Sequence, residues 1–432
     1  MIYLKDFETV AEYESYIASE DYVTPNVSAI EGSTVVYYNP YVPDPKTYPL
    51  TFEITSDGDI RWRADNTAYT TTIEYSKNGG EWISITSNTG TSAPSISVVS
   101  GDTIQFRGDN AAYSSSNRYS NSFRGTTCGF KTKGNIMSLI DSTGFTTATT
   151  LASGFTFYYL FYNCTGLTDA SALVLPATTL TQRCYWNMFY GCKSLRTAPE
   201  LPATTLADGC YSNMFRGCSG LTTAPDLPAT TLAVSAYSYM FAECTNLATA
   251  PELPATTLAD YCYQFMFFSC STLTAAPALP ATTLANNCYY YMFYNCTSLT
   301  TAPELPATTL AQSCYQSMFG GCTGLTTAPA LPATTLVDYC YSSMFLLCAS
   351  LTTAPELPAT TLAQECYSYM FAGCTSLNYI KCLATNISAF NCTSSWLEDV
   401  ASSGTFVKNS AMSSWTTGTD GIPSNWTVQS AS

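Results

Sequence analysis

The stretch that decides the fold is LPATTLTQRCYWNMFYGCKSLRTAPE, Leu175–Glu200, because the chain then says it again. The hexapeptide LPATTL begins at Leu175, Leu201, Leu227, Leu253, Leu279, Leu305, Leu331 and Leu357, eight copies at a fixed step of 26 residues with no insertion. A period of this length predicts a solenoid, in which each unit buries its apolar side only against its neighbours. In the second copy Pro202 and Pro225 bracket the boundary. Proline cannot donate to a ladder, so each strand must be short. Leu221-Thr222-Thr223-Ala224 is the candidate, stacked in parallel on its equivalents. Thr205 reads as the N-cap of a short helix, with Asp208 as the acceptor at the third helical position. Gln182, Asp260, Asn286, Gln312, Asp338 and Gln364 read as caps in the same place, and Val234 breaks the pattern.

Placed on a helix at about 100° per residue, Ala207, Cys210, Tyr211, Met214, Phe215 and Cys218 share one arc. Asp208, Gly209, Ser212, Asn213, Arg216 and Gly217 fill the rest. The first set hardly changes from copy to copy and the second changes almost every time. The invariant face is therefore the expected core, and the variable face meets solvent or a partner.

At the centre of the variable face stand Trp186 and Asn187, Ser212 and Asn213, Ser238 and Tyr239, Gln264 and Phe265, and Tyr290 and Tyr291, with Tyr369 in the last copy. Further round lie Tyr190, Arg216, Phe268, Tyr294, Leu346 and Leu347. Tyr, Ser, Asn and Gly with occasional Trp and Arg is the palette of binding surfaces, and rows of exposed aromatics mark interaction sites. Unconstrained drift on a surface would add Lys and Glu, which are scarce here. The candidate binding residues are therefore Trp186, Asn187, Tyr190, Asn213, Arg216, Tyr239, Phe265, Phe268, Tyr290, Tyr291, Tyr294 and Tyr369. Eight units stacked about 4.8 Å apart span roughly 40 Å, a surface suited to a protein or a polymer rather than an enclosed small molecule.

The 432 residues are 46% hydrophobic, enough for packed cores, but only 11% charged. A net charge of −15 argues against nucleic acid and anionic membranes as partners. No run of apolar residues is long enough to span a membrane. Met1-Ile2-Tyr3-Leu4-Lys5-Asp6 shows no basic region followed by an apolar one, so no secretory signal is expected. The 19 cysteines suggest a disulfide framework until their spacing is read. Cys184 and Cys192 recur as a pair eight residues apart, which on a helix is about 12 Å, too far to bridge. Ala236 replaces one of them without a compensating loss. Reduced, packed thiols are the expectation.

Taken in order, residues 1–47 form a small acidic module with a short amphipathic helix over Phe7–Ile17 and extended segments at Val23–Val27 and Val35–Pro40. Residues 48–133 alternate as strands, with a hairpin turning at Lys77-Asn78-Gly79-Gly80, and predict a small all-β domain of sandwich type. Asp57, Asp102 and Asp109 read as turn residues. Residues 134–174 contain Phe161-x-x-Cys164-x-x-Leu167, a degenerate first repeat serving as an N-terminal cap. The eight repeats occupy 175–382. Residues 383–432, with Trp396, Trp415 and Trp426, read as a C-terminal cap whose tryptophans fill its core.

Histidine is absent, which removes His-based triads, general bases and metal ligands. No phosphate loop or nucleophile elbow occurs, and no cofactor or metal site is expected. Glu200, Asp226, Glu252, Glu304 and Glu356 share one repeat position and read as a solvated acidic row rather than an acid–base pair.

The unit Leu-Thr-Thr-Ala-Pro-x-Leu-Pro followed by Cys-Tyr-x-x-Met-Phe-x-x-Cys resembles the BspA-like leucine-rich repeat over Leu175–Leu377. The resemblance implies an open α/β solenoid of parallel strands plus short helices, and membership of a group best known for bacterial surface adhesins. Glu12-Tyr13-Glu14-Ser15-Tyr16-Ile17, Pro25-Asn26-Val27-Ser28 and Tyr38-Asn39-Pro40 look similar to the start of structural proteins of phages of gut bacteria. These likenesses lead to the expectation of a non-enzymatic binding protein. A phage virion receptor-binding or decoration protein comes first, contacting a cell-surface protein or glycan through the repeats and other virion proteins through residues 1–47. The alternatives are a bacterial surface adhesin, or a glycan-acting enzyme with the solenoid as its binding module.

Overall fold

The structure, a computed structural model, describes residues 30–31, 34–35, 44–114, 119–413 and 415–431. The chain divides into two units, 1–47 and 48–432. In the first, β1 (Ile30–Glu31) and β2 (Thr34–Val35) pair antiparallel, and a 3-10 turn covers Pro45–Thr47. The helix expected over Phe7–Ile17, the segment Val23–Val27, and Val36–Pro40 lie outside the described residues.

The second unit opens with the expected strands: β3 (Leu50–Ile54), β4 (Gly58–Arg61), β5 (Arg63–Ala64), β6 (Thr72–Lys77), β7 (Ile83–Thr86), β8 (Ser95–Val98) and β9 (Thr103–Arg107). After them come β10 (Asn121–Ser122), β11 (Phe130–Asn135) and β12 (Leu167–Val174). The β6–β7 hairpin turns where Asn78 and Gly79 both take positive φ, 53° and 72°, as a two-residue type I′ turn requires. Asp102 accepts from Lys77 Nζ, Val99 N and Asn78 Nδ2 and serves as a turn residue, whereas Asp109 accepts from Ser142 N and Oγ and ties two distant segments together instead of closing a turn.

The strands do not form two comparable sheets face to face. A single six-stranded sheet runs β12-β11-β3-β9-β6-β7, and two short pairs, β4–β8 and β5–β10, stand beside it. Its edge pair β11–β12 is parallel, which is the repeat's own geometry. The sheet thus grows directly into the solenoid. Phe52, Phe106, Phe123 and Phe130 are fully buried, and Phe123 stacks on Phe161 at 5.7 Å. From Phe161 the stack continues through Phe189, Phe215 and Phe241 to Phe371, one ring per repeat, at 5.2 to 5.8 Å. A second column runs from Phe157 and Tyr185 to Tyr367 and continues through Trp396 to Trp415. Stacked rings at this spacing bury large apolar areas and fix the register of the units.

The parallel strands are reduced to single bridges. One column links Thr197, Thr223, Thr249, Ala275, Thr301, Thr327 and Thr353, and further bridges join the last threonine of LPATTL in alternate pairs of copies, Thr179 with Thr205, Thr231 with Thr257 and Thr283 with Thr309. The prolines on either side prevent longer pairing.

The short helices are the one part of the fold that the structure corrects. Among the described residues no α-helix is present, and Arg183–Cys192 and its equivalents are a run of consecutive turns. Every fourth residue has positive φ: 53° at Arg183, 56° at Asn187, 71° at Gly191, then 61°, 55° and 72° at Gly209, Asn213 and Gly217. A helix cannot continue through such residues. The amides divide the work between two ladders. Arg183, Tyr185, Asn187, Phe189 and Gly191 donate to carbonyls of the next repeat, while Cys184, Trp186, Met188, Tyr190 and Cys192 donate three residues back. Every backbone donor in the run is thereby satisfied. With no helix to cap, three of the residues read as caps act between repeats. Asp260 accepts from Asn286 N at 2.9 Å, Asn286 from Gln312 N at 3.1 Å, and Asp338 from Gln364 N at 3.2 Å.

All 19 cysteines are free and buried. Cys192, Cys218, Cys244 and their equivalents to Cys374 each donate Sγ–H to the carbonyl of the preceding repeat's Phe, at 3.0 to 3.1 Å. Burial pushes the Cys192 and Cys218 thiols up, Cys192 to about 12. At the far end β13 (Tyr379–Cys382), β14 (Thr405–Lys408) and β15 (Thr427–Ser430) form a parallel sheet. Trp396 and Trp426 are buried there, donating to Gly421 O and Ala401 O.

Candidate binding face

The turns present their residues with a period of four. Cys184 and Tyr185, then Met188 and Phe189, point inward. Trp186, Tyr190, Arg216, Phe268, Tyr290 and Tyr294 lie half-exposed on the outer side, while the small residues that replace them elsewhere, such as Ser212, Ser238 and Ala242, are buried. The outer columns are built by stacking one repeat on the next. Tyr239 stacks on Phe265 at 4.4 Å and Phe265 on Tyr291 at 4.9 Å, all three at positive φ. Phe268 stacks on Tyr294 at 5.6 Å one column further round. Tyr291 joins the columns through Tyr290 at 4.5 Å and Tyr294 at 4.9 Å. Six of the expected binding residues, Tyr239, Phe265, Phe268, Tyr290, Tyr291 and Tyr294, therefore form one continuous ribbon over three repeats.

Arginine extends the ribbon toward the first repeat. The Arg216 guanidinium lies 4.9 Å over the Tyr239 ring and 5.7 Å from that of Tyr190, and it pairs with Glu243 at 2.8 Å. Tyr190 in turn meets Tyr162 at 5.3 Å, and Trp186 meets Tyr158 edge-on at 5.4 Å. Burial pushes the phenols of Tyr239, Tyr290 and Tyr294 above their ordinary value, so they remain neutral hydrogen-bonding groups at physiological pH.

Asn213 is half-buried, its Nδ2 donating to Ser212 Oγ at 3.0 Å. Asn187 is buried and fills a left-handed backbone position, leaving little side chain for contact. Tyr369 is 44% exposed but lies three repeats beyond Tyr291, past Ser317 and Ser343, and does not join the ribbon. The residues that sequence reading missed are Phe155, Tyr159, Tyr162 and Arg183. Phe155 and Tyr159 hold the same positive-φ places in the degenerate repeat, and Tyr159 packs on Tyr162 at 4.6 Å. Continuing the four-residue pattern back from Asn163 would have found them. On the other side of the solenoid Glu200, Asp226, Glu252, Glu304 and Glu356 are all exposed, as a solvated row should be.

Among the described residues no helix is long and apolar enough to cross a membrane, and no cluster of acids and cysteines could hold a metal ion.

The solenoid of short parallel bridges, closed at each end by a sheet, is that of a leucine-rich repeat protein. The family model described as BspA type Leucine rich repeat region (6 copies) matches residues 157–300 and 286–414, and the chain belongs to that family. No curated protein matches it. Repeats of this family make the region a binding or adhesion type of module.

Proposed function

We propose that the chain is a non-enzymatic recognition protein whose outer turn face contacts a cell surface, and that it serves on a phage virion as a receptor-binding or decoration protein. Residues 1–47 would join it to the rest of the particle. The observation that carries the reading is the Tyr239–Phe265–Tyr291 ladder at left-handed positions. A bulky L-residue there costs about 1–2 kcal/mol. Asn187 and Asn213 fill the same place in other copies at less cost. Stacking returns about 0.5–1.5 kcal/mol per pair, so the rings do little net for the fold while leaving aromatic surface half-exposed. Such a surface is what a partner buries. A surface adhesin would use the same face, and virion attachment is favoured by the opening sequence alone.

The test is binding of the purified full chain to a panel of whole bacterial cells. It is compared with a variant in which Phe265, Phe268, Tyr290, Tyr291 and Tyr294 are changed to Ser. Loss of binding with an unchanged melting curve supports the reading. Equal binding by both proteins overturns it.

A further inference from the structure

Between Trp186 and Tyr239 the aromatic surface is interrupted. The positions between them carry small residues, among them Gly209, Ser212 and Ser235, and they leave a hollow of about 340 Å³. That volume is at the lower end of small-ligand sites, which run from about 300 to 1,000 Å³. Trp186 and Tyr239 both line it, and Arg183, Asp208 and Asn213 supply polar groups. Gly209 is needed for this shape. Its φ is +61°, and a Cβ there would come within 3.2 Å of Arg183 Cγ.

Arg183 is the unusual member. Its guanidinium lies 4.4 Å over the Trp186 ring. Arg216 lies on Tyr239 in the same way but is neutralised by Glu243. Position 209, one repeat on from Arg183, is glycine, and among the described residues no carboxylate pairs with Arg183. The cations of Leu175–Asn378 are Arg183, Lys193, Arg196 and Arg216, all in the first two copies. In a chain of net charge −15 this end of the repeats is the place suited to a negative group.

We infer that this hollow binds one carboxylate-bearing sugar ring of a surface glycan, stacked against Trp186 and Tyr239 with its carboxylate on the Arg183 fork. The inference rests on the reading of the turn face as the recognition surface. A pyranose offers a face of polarised C–H bonds that complements the negative face of an aromatic ring. The planar guanidinium matches a carboxylate in two parallel hydrogen bonds. Asp208 and Asn213 are placed to meet ring hydroxyls, which both donate and accept. Fully apolar ligands would leave these polar groups unpaired.

The experiment applies the full chain to an array of oligosaccharides printed in neutral and carboxylate-bearing pairs, followed by titration with the strongest binder. The carboxylate-bearing member should bind at least about tenfold more tightly than its neutral partner, the usual weight of a charge-assisted hydrogen bond. Arg183→Met should lose about tenfold or more on the same grounds. Ser235→Tyr should abolish binding by filling the hollow. It folds, because Tyr261 holds the equivalent position one repeat on at φ 61° against 55° at Ser235. Equal affinity for neutral and acidic partners overturns the inference. A silent array with intact binding to whole cells also overturns it but leaves the recognition face standing. A silent array and no cell binding remove both.

Discussion

Raising the pH from about 8 to about 10 should unfold this protein, and the cysteine columns set the size of the effect. Nine thiols, those of Cys192, Cys210, Cys262, Cys270, Cys314, Cys322, Cys366, Cys374 and Cys382, are pushed by burial from the ordinary 9.0 to about 12. In the unfolded chain the same groups ionise near 9. The folded chain therefore keeps protons that the unfolded chain releases, so stability is intact below about pH 9 and falls as pH climbs toward 12. At about pH 10 each thiol costs about 1.4 kcal/mol, and nine cost about 13 kcal/mol, as much as the whole stability of an ordinary domain. The folded thiols stay protonated at that pH, so the unfolded value sets the magnitude. The buried tyrosine column, also raised by burial, adds with the same sign. Thermal melting followed by circular dichroism in reductant at about pH 7, 8, 9 and 10 measures it. Cys210→Ala and Cys262→Ala copy the natural Ala236, and each should return about 1.4 kcal/mol at pH 10 relative to its effect at pH 7. A melting midpoint unchanged from pH 7 to pH 10 would refute the reasoning.

At the acid end Asp102 is held at about 2, first by the hydrogen bond from Lys77 and then by those from Val99 and Asn78. Its contribution is present above about pH 4 and lost as pH falls through 2, so Asp102→Ala should flatten the acid limb of the melting profile. Leu347 is 52% exposed at φ 61°. Leu347→Asn should raise stability by about 0.5–1 kcal/mol in a denaturant titration, by relieving the left-handed strain that asparagine tolerates.

The 26-residue period, the core residues and the packed thiols were legible from the sequence because they depend on which residues recur. The turn run was not. Residues with a period of four advance about 90° each, against 100° in a helix. Over Cys184 to Cys192 the two patterns diverge too little to move a side chain out of the core arc. The distinguishing signal was backbone rather than hydropathy: Asn and Gly four apart, as in Asn187 and Gly191 or Asn213 and Gly217, mark left-handed positions. Reading Asp260, Asn286 and Asp338 as caps had the chemistry right, an oxygen accepting a backbone amide, and the partner wrong, since that amide belongs to the next repeat. The aromatic ribbon was legible in composition but not in extent. Stacking continuity is a three-dimensional property, and Tyr369 falls outside it while Tyr162 falls inside. The hollow beside Arg183 is made of absences, glycine and serine where other copies carry rings, which a search for conspicuous residues passes over.

The proposed function requires that the turn face be the one that meets the partner. Hydroxyl-radical footprinting of the full chain, free and bound to the whole cells that capture it best, reads both faces at once. Protection of Tyr239, Phe265, Phe268, Tyr290, Tyr291 and Tyr294, with the exposed Pro254 and Pro280 on the repeat boundaries unchanged, is the predicted result. Protection confined to those boundary residues, with the ribbon labelled as in the free chain, would contradict it.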